Sequence, residues 1–273
     1  MTLLDRLIRR PARPGGLVRP PVYHYHLMKT GGTSLNHAFC AEAFDPGHAA
    51  LRRSLDGDAE ESDPGRAVYR AVMRSPGGRL AIDRHVLVGF HKETIERGGF
   101  TFAFSHVPHH QLALPPGCLT VTVLRDPLDR IVSRFNHWYS LWRRGRLGHY
   151  QREDMAPLIE KGFGAFLDAA EPDELAHQLH FYSAEGDPFE ALDRLRRVDL
   201  VLFTDRLGAG LELLNRRIGA AIRLPASPAK QAQDRAPIAP HELARARALL
   251  DAEFRFVGAV QALRGGDPAI VRR

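Results

Sequence analysis

A lysine stands directly before two glycines and a pair of hydroxyl residues near the start of the chain: Lys29, Thr30, Gly31, Gly32, Thr33 and Ser34. Glycines let main-chain amides approach an anion closely, and a helix that starts behind them adds partial positive charge. The lysine and hydroxyl side chains add further donors. The run therefore predicts a phosphate site. It is not the Walker A pattern of ATP-binding loops, because its lysine precedes the glycines.

Arg125 and Ser133 form a second candidate group, behind the apolar, β-branched segment 119–124. The arginine follows the end of that segment, and at about 100° per residue the serine lies on the polar face of the helix that comes next. A guanidinium offers paired donors and a hydroxyl one more, which suits a phosphate group. Arg130 and Arg134 fit a solvated face of the same helix. Arg125 and Ser133 therefore predict a second phosphate contact.

The elements that must position these residues alternate between strands and helices. Strand-like segments cover residues 22–27, 86–90, 101–104, 119–124 and 200–203. Helical periods start at Thr33 and also cover residues 67–73, 127–142, 157–168, 173–183, 188–197, 206–217 and 240–263. This alternation predicts an α/β fold whose parallel sheet is covered on both faces. Ligands of such sheets bind at the carboxyl ends of the strands, where both motifs lie.

Length and charge limit the domain organisation and the partners. The 273 residues suit a single domain over residues 21–273, behind a basic arm over residues 1–20. Residues 45–84 form an irregular excursion by their composition. A net charge of +6 favours anionic partners such as nucleotides, acidic glycans or nucleic acid, and does not choose among them. Leucines and arginines in the arm also suit a contact with a membrane surface.

Cysteine content and hydropathy exclude two further classes of protein. The two cysteines, Cys40 and Cys118, are too few for a disulfide scaffold and predict buried free thiols. No apolar run reaches the roughly 18–20 residues of a membrane span, and the start of the chain does not have the pattern of a secretory signal. The sequence therefore predicts a soluble, cytoplasmic protein.

Together the two phosphate motifs resemble those of sulfotransferases that use 3′-phosphoadenosine-5′-phosphosulfate (PAPS), in particular the carbohydrate branch similar to heparan sulfate 2-O-sulfotransferase. The resemblance is clearest over residues 23–138 and continues more weakly over 177–182 and 199–214. It implies a three-layer fold like that of P-loop nucleoside triphosphatases, without a required metal and without a nucleic-acid partner. It further implies that the loop from Lys29 to Ser34 holds the 5′-phosphosulfate, while Arg125 and Ser133 hold the 3′-phosphate.

The same resemblance gives a role to His106. The family carries a His-Gly-His-Val segment whose second histidine acts as the base, and His106 takes that position while Phe104 replaces the first histidine. A histidine with a near-neutral pKa suits the removal of a proton from an attacking alcohol. Lys29 is implied to bridge the sulfuryl group and the leaving 5′-phosphate. His26 stands where related enzymes often have an arginine, and a histidine contacts phosphate more weakly.

The resulting hypothesis is sulfuryl transfer from PAPS to a hydroxyl of a sugar or glycan, which leaves 3′,5′-adenosine bisphosphate. A nucleotide-dependent kinase and a non-catalytic anion-binding module stay open as alternatives. The lysine-first loop disfavours the kinase, and the place of His106 between the phosphate motifs disfavours the module. The basic turn 142–146 is either a glycan contact or a solvated helix end. Lys230 and Arg235 are candidates to close over the nucleotide, while the acceptor and the oligomeric state stay open.

Overall fold

The structure is a computed structural model that describes residues 19–45, 47–48, 63–225, 234–264, 267 and 269–271. The predictions for Lys230 and for the arm up to residue 18 lie outside these ranges. Within them, no helix combines the length and the apolar character that crossing a bilayer requires. Cys40 is buried and Cys118 is partly exposed, and both are free thiols, so the prediction of two buried thiols is correct for the first alone.

Seven strands of the described residues form one mixed sheet. They are β1 (Val22–Tyr25), β2 (Arg79–Ile82), β3 (His85–Gly89), β4 (Phe102–Ser105), β5 (Leu119–Leu124), β6 (Leu200–Phe203) and β7 (Ala269–Val271). Their order is β2-β3-β4-β1-β5-β6-β7. The inner strands from β3 to β6 run parallel, and the edge strands β2 and β7 pair antiparallel with their neighbours. The predicted α/β class with a mostly parallel sheet is confirmed.

Helices connect the strands and cover the sheet. They are α1 (Gly32–Glu42), α2 (Pro64–Arg74), α3 (Lys92–Arg97), α4 (Pro127–Arg143), α5 (Ala156–Lys161), α6 (Phe163–Ala169), α7 (Pro172–Leu175), α8 (His177–His180), α9 (Pro188–Leu195), α10 (Leu207–Ile218), α11 (Pro240–Leu249) and α12 (Asp251–Arg264). Asp126 caps α4 by accepting the amide hydrogen of Asp129 at 2.9 Å, and proline follows it at the first helical position.

The core divides into three apolar clusters. Alternate residues of β1 point to opposite faces of the sheet, so that Val22 packs with Leu35 of α1 on one face while Tyr23 packs with Phe256 of α12 on the other. Both faces of the parallel strands are therefore covered, as burial of their apolar side chains requires. A third cluster around Phe135 packs α4 against α5, α6 and α11.

Several predicted boundaries are wrong, for local backbone reasons. The predicted helix 157–168 breaks at Gly162, whose φ of 99° is left-handed and open mainly to glycine. The helices 173–183 and 240–263 likewise divide, at Ala176 and Leu250. The sequence gives no prediction for α3, β2 or β7. α1 starts one residue earlier than predicted, and β1 ends before His26.

The excursion 45–84 is more regular than its composition predicts. Residues 46 and 49–62 lie outside the described ranges, and the rest contains α2 and β2. α2 packs so closely on α1 that a Cβ at Gly65 would stand 2.2 Å from the carbonyl oxygen of His37. The predicted short helix at 67–73 is confirmed and extended by this packing.

Arg130 and Arg134 do not lie on a solvated face, which corrects the prediction. Arg130 is 1% exposed. Its Nη2 donates to the carbonyl oxygens of Glu174 and Leu175 and lies 3.5 Å from the carboxylate of the fully buried Glu253. Arg134 makes a bidentate pair with the Glu174 carboxylate, at 2.7 and 3.1 Å. Residues of α7 and α12 cover this side of α4, so both charges are paired inside the protein.

We expect Arg130→Met to lower the free energy of unfolding by about 3–5 kcal/mol, because it leaves the Glu253 carboxylate buried without its partner. Urea denaturation followed by circular dichroism measures the change. Arg255→Gln is the matched control, since its ion pair with Asp251 is mostly exposed and its loss leaves the unfolding free energy unchanged within error. Equal effects of the two substitutions would contradict the stabilising role of the buried pair.

Candidate functional site

Three neighbouring parallel strands end at one edge of the sheet and bring three predicted residues there. β1 lies between β4 and β5. His106 follows β4, Lys29 lies in the loop after β1, and Arg125 follows β5. The Nη1 group of Arg125 donates to the carbonyl oxygen of Lys29 at 3.1 Å. Residues that are far apart in the sequence therefore meet where ligands of α/β sheets bind.

The loop before α1 has the geometry of an anion cradle. Lys29 and Gly31 both take left-handed backbone angles, with φ of 66° and 89°. Glycine has no side chain with which to cap the helix, so the first amides of α1 are available to an anion. The amide of Ser34 donates to the carbonyl oxygen of Gly31 at 3.0 Å, which closes the first turn. The side chains of Thr33 and Ser34 are exposed at this helix start.

Thr30 acts inward, unlike its neighbours in the loop. Its side chain is fully buried, and its hydroxyl donates to the carbonyl oxygen of Leu27 at 3.0 Å. The hydroxyl of Thr204, which directly follows β6, contacts the carbonyl oxygen of Thr30. The Met28 amide donates to Nε2 of His177 at 3.2 Å. The side chain of Thr30, predicted as a donor to the anion, therefore stabilises the loop instead.

Lys29 lies in a positively charged and partly dehydrated environment. Burial, together with repulsion from the nearby Arg134 and Arg125, lowers the pKa of its ammonium group to about 8. The charge of Arg134 is balanced by its bidentate pair with Glu174. Arg125 has a longer contact, of 3.9 Å, with the exposed carboxylate of Asp129. Lys29 and Arg125 are therefore the cations best placed to meet an anion at this edge.

Arg125 is held through its main chain by one buried amide. The side chain of Gln178 accepts the Arg125 amide hydrogen at 2.8 Å and donates to the Arg125 carbonyl oxygen at 3.0 Å. The main-chain amide of Gln178 in turn donates to Glu253 at 2.6 Å. Ser133 lies further along α4 and is half-buried, and no hydrogen bond between described residues joins it to Arg125. The structure therefore shows directly how Arg125 is held. That Ser133 shares a site with Arg125 stays a prediction from the sequence spacing.

His106 has the tautomer that a base requires. Its Nδ1 lies 2.5 Å from the carbonyl oxygen of His26. A carbonyl oxygen accepts hydrogen bonds only, so Nδ1 carries the hydrogen and the neutral ring keeps its lone pair on Nε2. Protein packed around the ring lowers the pKa of His106, the His26 contact opposes this, and Arg134 lowers it further. The lowered pKa keeps the ring neutral at neutral pH, and the residue is exposed at this edge of the sheet.

Two buried histidines under the loop account for Gly32. Asn36 joins them, because its Oδ1 accepts from Nδ1 of His24 at 2.7 Å and its Nδ2 donates to Nδ1 of His26 at 3.1 Å. Burial lowers the pKa of His24 to about 4 and also that of His26. A Cβ at Gly32 would stand 2.4 Å from His26 Cδ2 and 2.7 Å from His24 Cε1. The side chain of His26 therefore packs under the loop. Because His26 is buried, the structure does not support its predicted contact with phosphate.

The remaining candidates lie around the site or outside the described ranges. The residues from Arg143 to Arg146 are exposed where α4 ends, and Arg235 is exposed before α11. Beside Arg125 a cleft of about 300 Å³ is lined by Leu124, Arg125, Asp126, Asp129, Phe203, Thr204, Asp205 and Gln261. This cleft runs along the carboxyl ends of β5 and β6, and its size suits a small organic ligand next to the arginine.

Four supporting residues were missed by sequence reasoning: Asn36, His177, Gln178 and Thr204. Each acts through a main-chain group or a ring that is distant in the sequence. The only signal for them is that the last three stand in segments of weaker family resemblance. Neither a scan against protein-family models nor a search of curated proteins matches this chain. Function is therefore argued from the residues and their geometry.

We expect Gly32→Ala to lower the free energy of unfolding by about 1–3 kcal/mol, because the added methyl group would overlap two imidazole rings that are locked by Asn36. Thermal and urea denaturation measure this change. Gly258→Ala is the matched control, since Gly258 also lies in a helix and its Cβ would meet nothing within 4 Å. This control stabilises the helix slightly. A neutral Gly32→Ala would show that the loop does not depend on this close approach.

Proposed function

We propose that this protein is a sulfotransferase that moves a sulfuryl group from PAPS to a hydroxyl of a carbohydrate-type acceptor. One observation carries the proposal: Arg125 donates to the carbonyl oxygen of Lys29 at 3.1 Å, which joins the two phosphate motifs. His106 stands at the end of the strand on the other side of β1. The proposal includes a P-loop nucleoside triphosphatase-like fold, for which the parallel inner strands and the loop-to-helix start of α1 give support.

The proposed donor contacts use the main chain of the loop and two cations. The amides of Gly31, Gly32 and Thr33 at the start of α1 hold the 5′-phosphosulfate. Lys29 contacts the oxygen between phosphorus and sulfur, and Thr33 and Ser34 offer exposed hydroxyls. Arg125, joined by Ser133, contacts the 3′-phosphate. The nucleoside then occupies the cleft beside Arg125, whose volume of about 300 Å³ accommodates it.

The proposed reaction is one displacement at sulfur. Nε2 of His106 accepts the proton of the acceptor hydroxyl, whose oxygen forms a bond to sulfur. The bond between sulfur and the 5′-phosphate oxygen breaks, and its electron pair leaves on that oxygen of 3′,5′-adenosine bisphosphate. The Lys29 ammonium group stabilises the charge that develops there. The products are a sulfate ester and the bisphosphate, with the proton on His106 passing to solvent.

We expect Arg125→Ala to weaken the binding of 3′,5′-adenosine bisphosphate by roughly 10- to 100-fold, which corresponds to the loss of charge-assisted hydrogen bonds worth about 1.5–3 kcal/mol. Calorimetric titration of the whole chain measures both affinities. Binding of 5′-AMP, which has no 3′-phosphate, changes little, because the proposed partner of Arg125 is absent from it. Arg146→Ala provides a control, since Arg146 is exposed beyond α4.

The same titration separates the proposed function from its alternatives. A kinase prefers ATP with Mg²⁺ over the bisphosphate. A preference for ATP, or no binding of the bisphosphate to the unaltered chain, would overturn the sulfotransferase proposal. Equal losses for Arg125→Ala and Arg146→Ala would show that only general positive charge is involved.

We expect His106→Gln to retain bisphosphate binding while sulfuryl transfer falls by about 10²–10⁴-fold, the usual contribution of a general base. Transfer of labelled sulfate from PAPS to a panel of sugars and glycans measures turnover. The lowered pKa of His106 keeps the base unprotonated at neutral pH. Activity is therefore present above this pKa and is lost as the pH falls through it.

One result would contradict the role of His106: full activity of His106→Gln excludes it as the base. The unaltered chain tests the non-catalytic alternative, which predicts bisphosphate binding without any transfer. His110→Gln is the control, because His110 is half-buried in the turn at residues 109–111 and belongs to neither phosphate motif.

A further inference from the structure

Phe90, directly after β3, has a strained backbone. Its φ is 55°, in the left-handed region that bulky side chains rarely adopt. Its amide donates to the carbonyl oxygen of Phe104 at 2.9 Å, which continues the contact between β3 and β4 beyond the last strand residue. A conformation of this kind persists only where the surrounding structure enforces it, and such residues cluster at functional sites.

Close packing before Phe90 enforces this conformation. A Cβ at Gly89 would stand 2.9 Å from Cζ of Phe104 and 3.1 Å from Cγ1 of Val72. A Cβ at Gly78 would stand 2.2 Å from the carbonyl oxygen of Gly89. The backbone up to Gly89 is therefore closely packed on two sides. The left-handed turn falls on the next residue, Phe90.

The left-handed turn at Phe90 places its ring against that of His106. The two ring centroids are 4.6 Å apart, and His26 lies 4.6 Å from His106 and 6.2 Å from Phe90. Phe90 also meets Phe104 edge to face, at 5.3 Å and 89°. The imidazole of His106 therefore contacts the His26 ring after β1 and the Phe90 ring after β3, and its Nδ1 is hydrogen-bonded to the His26 carbonyl oxygen.

We propose that Phe90 is a positioning residue for His106 in the sulfuryl transfer proposed above. Its ring limits rotation of the imidazole about χ1 and χ2, so that Nδ1 stays on the His26 carbonyl oxygen and Nε2 stays directed at the open edge. It also excludes water from one side of the base. The inference rests on the proposed function for its catalytic meaning, while the contact itself can be tested without turnover.

Other groups also act on the titration of His106. His24 interacts with it from β1 and His26 from the residue after β1, Arg134 from α4 and His177 from α8. Burial keeps the three histidines neutral at pH 7, and Arg134 remains paired with Glu174. A substitution at Phe90 leaves all of them in place, so a change in the titration reports the loss of the ring.

The experiment compares Phe90→Gly with Phe90→Tyr and with a matched control. Glycine removes the ring and accepts the left-handed backbone without strain, whereas tyrosine restores the ring. Asp83→Gly is the control, because Asp83 also has a positive φ, of 48°, and lies exposed at the opposite end of β3. Nuclear magnetic resonance follows the titration of His106 in each whole chain, with the resonance assigned by its absence in His106→Gln.

In Phe90→Gly we expect the titration midpoint of His106 to move to higher pH, because water reaches the charged form. Phe90→Tyr and Asp83→Gly keep the midpoint of the unaltered chain. Transfer by Phe90→Gly falls about tenfold, and the acid limb of its pH profile moves to higher pH with the midpoint. Its affinity for 3′,5′-adenosine bisphosphate is unchanged, since Phe90 touches neither phosphate motif.

An unchanged His106 midpoint in Phe90→Gly, with bisphosphate binding intact, would overturn the inference and leave the proposed function standing. Failure of the unaltered chain to bind the bisphosphate would instead overturn the proposed function. Equal shifts in Asp83→Gly would show that relief of strain anywhere in β3 moves the midpoint, which also overturns the inference. Phe90→Asn serves if Phe90→Gly does not fold, because asparagine tolerates left-handed angles.

Discussion

One buried ion pair, between Arg130 and Glu253, is the contact on which the order of this site depends. Two charges taken out of water cost more free energy than their attraction returns unless further hydrogen bonds satisfy them. Here the arginine meets two main-chain carbonyl oxygens, and the carboxylate accepts the Gln178 amide hydrogen. The Gln178 side chain then holds both main-chain groups of Arg125. The direction in which Arg125 enters the site is thus set by a pair on α4 and α12.

The sequence predicts best those elements whose boundaries are set by residues next to them in the chain. Strands 119–124 and 200–203 match residue for residue, because each is a β-branched or apolar run with polar or turn residues beside it. Helix breaks at Gly162 and Leu250 were missed because the apolar period continues across them. β7 has three residues and pairs only with β6, so its formation depends on the finished sheet rather than on local preference.

The same distinction applies to the site. Lys29 and Arg125 were predicted because each follows an apolar strand, where polar residues face a ligand edge, whereas His106 was predicted from the resemblance to the family's His-Gly-His-Val segment. Gln178 and Asn36 were missed because their role lies in contacts with distant main-chain or ring atoms. The helical pattern of α4 placed Arg130 and Arg134 opposite the main apolar stripe, and nothing in that pattern shows that α7 and α12 cover this side too.

In the proposed function, the lowered pKa of Lys29, about 8, couples anion binding to proton uptake. In the free protein a fraction of the amines is uncharged near pH 8, whereas a bound anion favours the ammonium form. Binding therefore draws protons from the buffer, so the observed heat depends on the ionisation enthalpy of the buffer used. The affinity for the anion therefore decreases as the pH rises above 8, and the loop releases the anion more readily at alkaline pH.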